Sequence, residues 1–260
     1  PARDSVLGLE VVLATGERTR CGGRVVKNVT GYDLNKLYVG SLGTLGVIEA
    51  AWLRLRPLAR RVRVLAAEPV QGCATGLAAA RRPSARAAAL LVAQPPSGRL
   101  VVEFAGDEPA VDRDAEWFAA AHGAREVGES ELESVRARQA GTPSGGARFR
   151  ISALASRLDA ALAPLRDAGA RVLVYPGLGL LYAGFSLAPE ADAPQRAFDA
   201  AARAACAGGG AWLLEEAPAS AKRARDVFGG DAELLPLVRA LKARFDPADV
   251  LNPGRFMGST

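Results

Sequence analysis

Runs of alternating apolar and polar positions, broken at short intervals by glycine and proline, divide this chain into many short elements. Residues 6–22, VLGLEVVLATGERTRCG, carry two β-branched runs around a Thr-Gly pair, which predicts a hairpin turning at 14–17. An amphipathic piece at 33–38 predicts one or two helical turns capped by Asp33. Residues 47–57, VIEAAWLRLRP, predict a strand stopped by Pro57.

From residue 61 the pattern changes. Two stretches share the order strand, helix, strand, strand, helix, the first at 62–66, 71–82, 87–93, 99–104 and 111–125. The second runs through 148–152, 154–168, 171–175, 180–187 and 193–206, and adds a strand at 211–215. Between them, 130–146 begins as a charged helix and ends in the breaker-rich GTPSGG, a loop between repeats. A unit of this order lays its helices on one face of an antiparallel sheet. Two units side by side predict a seven-stranded sheet backed by helices, with the other face free to cover something. A helix at 232–245 carries Leu234, Val238, Leu241 and Phe245 on one face and tolerates Pro236 near its first turn. The tail FDPADVLNPGRF predicts an ordered extended segment laid over another part of the fold. The fold class is α+β, with domains expected at 1–60, 61–230 and 231–260, the last returning to the first.

Composition narrows the function classes. A chain of 260 residues with 49% hydrophobic and 23% charged residues has an ordinary globular balance, which excludes dominant disorder. The net charge of +5 comes almost wholly from arginine, with Lys27, Lys36, Lys222 and Lys242 as the lysines. These arginines are scattered among acids rather than gathered with aromatics into a stripe, so nucleic acid is not an expected partner. Cys21, Cys73 and Cys206 lack the paired spacing of a zinc, iron–sulfur or disulfide framework and read as reduced thiols; no metal site is expected. The longest apolar runs fall short of the ~20 residues of a membrane span, and the opening PARDS lacks a signal peptide's apolar core. The expected location is cytoplasmic, with membrane contact only through a partner.

The candidate chemistry lies in GSLGTLG, residues 40–46, with glycine at every third position and Ser41 and Thr44 between. Without Cβ atoms the chain can approach a bound group, and its amides and two hydroxyls can donate to phosphate or heterocycle acceptors. A tight turn before a strand would choose the same glycines. The spacing is that of neither the Rossmann fingerprint nor the phosphate-binding P-loop.

The whole run KNVTGYDLNKLYVGSLGTLGVIEAAWLRLRP, residues 27–57, resembles the second FAD-binding segment of the FAD-linked oxidase family, which has the vanillyl-alcohol-oxidase-like flavin fold. The resemblance is carried by Gly31-Tyr32-Asp33-Leu34 followed by Gly40-Ser41 and Gly43-Thr44-Leu45-Gly46-Val47-Ile48. Arg3, Asp4, Val6, Leu7 and Gly8 resemble the start of this subdomain, and Asp246, Pro247, Leu251, Asn252, Pro253 and Gly254 its closing motif. Lys27 to Asp33 is nearest to the FAD-binding E-type subunit of glycolate oxidase. The resemblance implies the second half of a PCMH-type FAD-binding domain, a cap domain over 61–230, and a C-terminal helix and tail returning to the FAD domain. It also implies that the pyrophosphate-binding N-terminal subdomain precedes the point where this sequence begins. FAD would be lined by Ser41, Gly43, Thr44, Gly46 and the backbone of Val47 and Ile48, with Asn252 returning near it. The amides of Val47 and Ile48, fixed in a strand, suit a flat ring edge. Asn28 is either a polar contact near the flavin or a turn-stabilising side chain.

Relatives that oxidise 2-hydroxy acids carry a histidine-rich cap motif, whereas the comparable VYPGLGLLYAGF has no histidine. His122, the one histidine of the chain, is expected at the surface near a helix end. Tyr175 and Tyr182, with Arg148, Arg150 and Arg171, remain as substrate-pocket candidates. Arginine binds carboxylate bidentately, although arginines flanking strands are commonly just solvated. The resemblance implies an FAD-binding subunit of a glycolate oxidase-like complex acting on a small 2-hydroxy acid. A second flavin subunit would carry the histidine-rich site, and an iron–sulfur subunit would accept electrons. An independent FAD-dependent lactate or alcohol dehydrogenase and a structural subunit without cofactor are the alternatives.

Overall fold

Leu9 and Val11, alternate residues of one strand, are both fully buried and mark the core of the smaller of two units. The computed structural model describes residues 2–23, 32–92, 98–187, 192–223, 225–229 and 232–259. The chain divides into one unit made of Pro1–Pro57 with Gly230–Thr260 and another made of Leu58–Gly229. Lys27, Asn28 and Gly31 of the expected flavin motif lie outside the described residues.

In the first unit, α1 (Ala2–Ser5) leads into β1 (Val6–Val12), which forms the expected hairpin with β2 (Arg18–Gly22). The turn is closed by the Gly16 amide donating to the Leu13 carbonyl and the Leu13 amide to that of Glu17, each at 2.9 Å. Helix α2 (Asn35–Tyr38) supplies one of the one or two turns expected, but its N-cap is Leu34 rather than Asp33. The Asp33 carboxylate instead lies 3.4 Å from the Lys36 ammonium. Strand β3 (Val47–Leu53) pairs with β1, giving a three-stranded sheet in the order β2-β1-β3. Leu9 and Val11 pack with Cys21, Tyr38 and Leu45.

The second unit runs β4 (Arg61–Val70), α3 (Ala74–Ala80), β5 (Ala85–Val92), β6 (Gly98–Gly106), α4 (Glu108–His122), β7 (Arg125–Val127) and α5 (Ser130–Ala140). It continues through β8 (Ala147–Ser152), α6 (Leu158–Asp167), β9 (Arg171–Tyr175), β10 (Leu180–Phe185), α7 (Ala193–Gly208), β11 (Trp212–Glu216), α8 (Ala219–Lys222) and β12 (Phe228–Gly229). These strands form an antiparallel sheet of nine, not seven, in the order β12-β11-β8-β10-β9-β5-β6-β4-β7. All seven expected strands are present, and β7 and β12 extend the two edges. The order β4-β6-β5 is mirrored by β8-β10-β9, and the two halves join where β5 pairs with β9. Strand β7 follows α4 and pairs with β4 just as β11 follows α7 and pairs with β8. Each repeat is therefore strand, helix, strand, strand, helix, strand.

One sheet face packs against α4, α6 and α7 through Phe104, Phe149, Ile151 and Leu181, all fully buried. Phe149 sits between the rings of Phe185, Phe198 and Trp212, with centroids 5.2–5.7 Å away. Burying such a side chain stabilises by about 1.5–3 kcal/mol. The opposite face is not wholly free, because Leu132 and Val135 of α5 cover Val64, Ala66, Ala89, Val101 and Leu173. Among the described residues, no helix is long and apolar enough to cross a membrane.

The chain re-enters the first unit through α9 (Leu235–Phe245), whose expected apolar face is only partly buried. Leu234 is 48% exposed, and the residue the helix buries is Lys242. Phe245 meets Tyr38 edge-on at 5.9 Å and anchors the helix to the small core.

Candidate functional site

The glycine loop joins α2 to β3, and its glycines answer to different constraints. A Cβ on Gly46 would stand 2.5 Å from Val11 Cγ1, so this position lets the loop close on the core. Gly43 has φ +72°, and a Cβ there would lie 2.8 Å from Asn252 Nδ2. Its neighbour Leu42 also adopts a left-handed backbone, with φ +55°, unusual for a bulky residue. Asn252, itself at φ +43°, donates its Nδ2 to the Leu42 carbonyl at 2.7 Å.

The result is an open cavity of about 370 Å³ lined by Gly43, Gly46, Val47, Ile48, Val250, Leu251 and Asn252. Gly43, Gly46, Val47, Ile48 and Asn252, all named from the sequence, are thus brought together. Val47 and Ile48 are 54% and 43% exposed, so two large apolar side chains are bare at the start of β3. The amides of Gly43 and Gly46 donate to no carbonyl or side chain among the described residues. Ser41 and Thr44 are not in this wall. Both are buried and line a separate cavity of about 230 Å³ with Lys36, Leu37, Val238 and Leu241. The Thr44 hydroxyl, expected to donate outward, donates to the Ser41 carbonyl at 2.7 Å and so closes the loop's own turn.

Behind the wall lies a charge cluster that composition alone does not reveal. Lys242, 7% exposed, donates to Asp246 Oδ2 at 2.6 Å, to the Leu251 carbonyl at 2.7 Å and to the Thr44 carbonyl at 3.2 Å. Asp249 Oδ1 lies 3.1 Å from the same nitrogen. Asp246 accepts the amides of Val250 at 3.1 Å and Leu251 at 2.7 Å. Burial works to raise its pKa, but the bonds from Lys242 and these amides outweigh that and hold the carboxyl below its ordinary value.

In the second unit, Arg148 and Tyr182 line a cavity of about 280 Å³ with Arg138, Thr142, Arg171 and Leu173. Arg148 is not free to take a carboxylate. Its Nε donates to Glu215 at 3.2 Å, its Nη1 lies 3.6 Å from Glu216, and Nη1 also donates to the Ala140 carbonyl. Arg150 lies 3.6 Å from Glu215 as well. Arg171 and Arg138 are exposed and have no ion-pair partner among the described residues. Tyr175 is not part of the lining. Its hydroxyl donates to Gln139 Oε1 at 2.7 Å, and Gln139 Nε2 donates to the Tyr182 hydroxyl at 3.2 Å. Burial, reinforced by Tyr182, pushes the Tyr175 phenol up and keeps it protonated. His122 is half-buried rather than a surface residue, packed against the rings of Trp117 and Phe118 at 5.5 and 5.2 Å.

No family model matches the chain. Over 55 residues it is 56% identical to glycolate oxidase subunit GlcD of Bacillus subtilis, covering 21% of this chain and 12% of that protein. It is 47% identical over 58 residues to glycolate oxidase subunit GlcE of Escherichia coli, covering 22% and 17%. It is 52% identical over 64 residues to D-lactate dehydrogenase of Archaeoglobus fulgidus, covering 25% and 14%. The matched segments thus make up 12–17% of these relatives' own lengths. Among solved structures, p-cresol methylhydroxylase superposes with a TM-score of 0.60 at 15% identity, over 96% of this chain and 64% of that one. The chain therefore has the PCMH-type α+β fold expected from its sequence.

Proposed function

Starting from this kinship with FAD-linked oxidases, we propose that the chain forms part of an FAD-dependent oxidoreductase acting on a small 2-hydroxy acid. The observation that carries the reading is the wall of Gly43, Gly46, Val47, Ile48 and Asn252. A cavity of about 370 Å³ falls in the lower part of the ~300–1,000 Å³ range of ligand pockets. It offers bare apolar side chains for a ring face and two uncommitted amides for ring acceptors, which is the donor set a flavin edge needs. Bound FAD supplies a two-electron acceptor for oxidation of a hydroxyl-bearing carbon. This chain's part is to hold one side of the cofactor, exclude water from it and present amides to it.

The names of GlcD and GlcE, both subunits of glycolate oxidase, favour a subunit of a multi-subunit complex; a second flavin subunit and an iron–sulfur subunit are the partners we propose from the resemblance of the motif. Arg171 and Arg138, unpaired among the described residues, suit the carboxylate of the 2-hydroxy acid better than Arg148, whose charge Glu215 and Glu216 already offset. Expression from the complete reading frame, followed by a visible spectrum before and after anaerobic glycolate or D-lactate, tests the proposal. Flavin absorbance that bleaches with substrate, alone or with the partner subunits, is the expected result. A folded protein with no bound flavin would overturn it.

A further inference from the structure

We propose that Lys242 is a positioning residue for the flavin wall, its buried ammonium fixing the glycine loop against the tail before any ligand arrives. The inference rests on the flavin reading of that wall. An ammonium has three donors, and those of Lys242 go to three different stretches: the end of its own helix at Asp246, the tail at Leu251 and the loop at Thr44. Thr44 directly follows Gly43, and Leu251 directly precedes Asn252. The two residues whose side-chain and Cα positions shape the cavity lip are therefore each one peptide away from a carbonyl held by the same nitrogen.

The contact between Asn252 and Leu42 closes the loop and tail at the lip, and Lys242 closes them from behind. Asp246 holds the charge on the lysine's own helix, and loop and tail cannot part without leaving one of the buried ammonium's N–H donors unmatched, which makes their spacing insensitive to small fluctuations. Asp246 completes the device by holding the amides of Val250 and Leu251, which keeps the tail's turn in a conformation where Asp249 and Asn252 both have positive φ. Lys242 lines the neighbouring cavity and not the flavin wall, so it acts through the carbonyls of Thr44 and Leu251 and not by touching the cofactor.

The test compares the protein from the complete reading frame with Lys242→Met and with Lys242→Met/Asp246→Asn, the second leaving no lone buried charge if the first fails to fold. Two quantities are read: the Kd for FAD with the visible spectrum of the bound flavin, and amide hydrogen exchange at 40–46 and 250–253 without FAD. The expected result is at least tenfold faster exchange in both segments, an FAD Kd raised about tenfold and an altered flavin spectrum. A folded variant with wild-type exchange, Kd and spectrum overturns the proposal, and so does a lowered Tm with those three unchanged, since that marks a merely structural lysine. Wild-type protein that binds no FAD overturns the flavin reading instead, and the exchange comparison then decides the clamp alone.

Discussion

Asn252 reaches back 210 positions along the chain to donate its carboxamide to the Leu42 carbonyl at 2.7 Å, and both residues have left-handed backbones to do so. Replacing Asn252 with Ala removes one hydrogen bond worth about 1 kcal/mol and frees the lip of the cavity. Gly43→Ala costs about 1–2 kcal/mol from its positive φ alone, and more from the contact with Asn252 Nδ2. Removing Asn252 relieves that contact, so the double variant should be less destabilised than the sum of the singles. Urea titration of the four proteins gives the coupling; strict additivity would show that the two side chains do not meet.

Asp114 gives the clearest pH dependence. Its fully buried carboxylate accepts the Ser84 hydroxyl and Arg82 Nη2, each at 2.7 Å, and the Ser84 amide at 3.1 Å. Burial works to raise its pKa, but the bonds from Ser84 and Arg82 prevail and hold it below the ordinary value. A depressed folded pKa means stability that is complete above the unfolded value of about 3.9 and lost as pH falls through the folded one. Asp114→Asn should therefore cost ~3 kcal/mol at neutral pH, with the gap to wild type closing below about pH 4. Tm measured from pH 3 to 7 for both proteins checks this, and a constant gap would contradict it.

Much of the fold was readable because its signals are local. The hairpin at 6–22, the seven longer strands and the repeated order around 61–215 follow from period-two runs and their breakers. Strands β7 and β12, of three and two residues, are too short to show a period, and only pairing with β4 and β11 makes them strands. The residues of the wall proposed for the flavin were marked by their motif, yet Lys242 was not, because a lysine in an amphipathic helix ordinarily reads as solvated. Its burial depends on the carbonyls of Thr44 and Leu251. The ion pairing of Arg148 was hidden for the same kind of reason: its partner Glu215 lies 67 residues away and becomes a neighbour only through pairing of β8 with β11.

The three cysteines should separate cleanly by reactivity. Cys206 is exposed, whereas Cys21 and Cys73 are buried. Burial, with help from the nearby Asp159 carboxylate, pushes the Cys73 thiol up to about 12, and burial raises Cys21 as well. A thiol-disulfide reagent at pH 8 should titrate one group in the native protein and three after denaturation. A second fast-reacting thiol in the native state would contradict the burial of Cys21 or Cys73.

Arg171 and Arg148 should differ in kind when each is replaced by Ala. Replacing Arg171, exposed and unpaired among the described residues, should raise KM for the proposed 2-hydroxy acid substrate about tenfold with little change in kcat, as expected for loss of uniform binding. Arg148, held by Glu215 and the Ala140 carbonyl, should lower Tm instead. Steady-state kinetics with thermal melts on both variants makes the comparison. An unchanged KM for Arg171→Ala would remove that residue from the substrate pocket.

The doubled sheet ends at β7 and β12, and this brevity bears on solubility. The sheet of nine strands ends in stubs of three and two residues, and the stretches of β4 and β11 that these leave without a strand partner carry Arg61, Arg63, Glu68 and Pro69 on one side and Glu215 and Glu216 on the other. Arg125 and Glu126 put charge on one of these stubs, a further obstacle to pairing with a foreign strand. The wide sheet should therefore resist recruiting another chain edge to edge, the hazard that its width would otherwise carry.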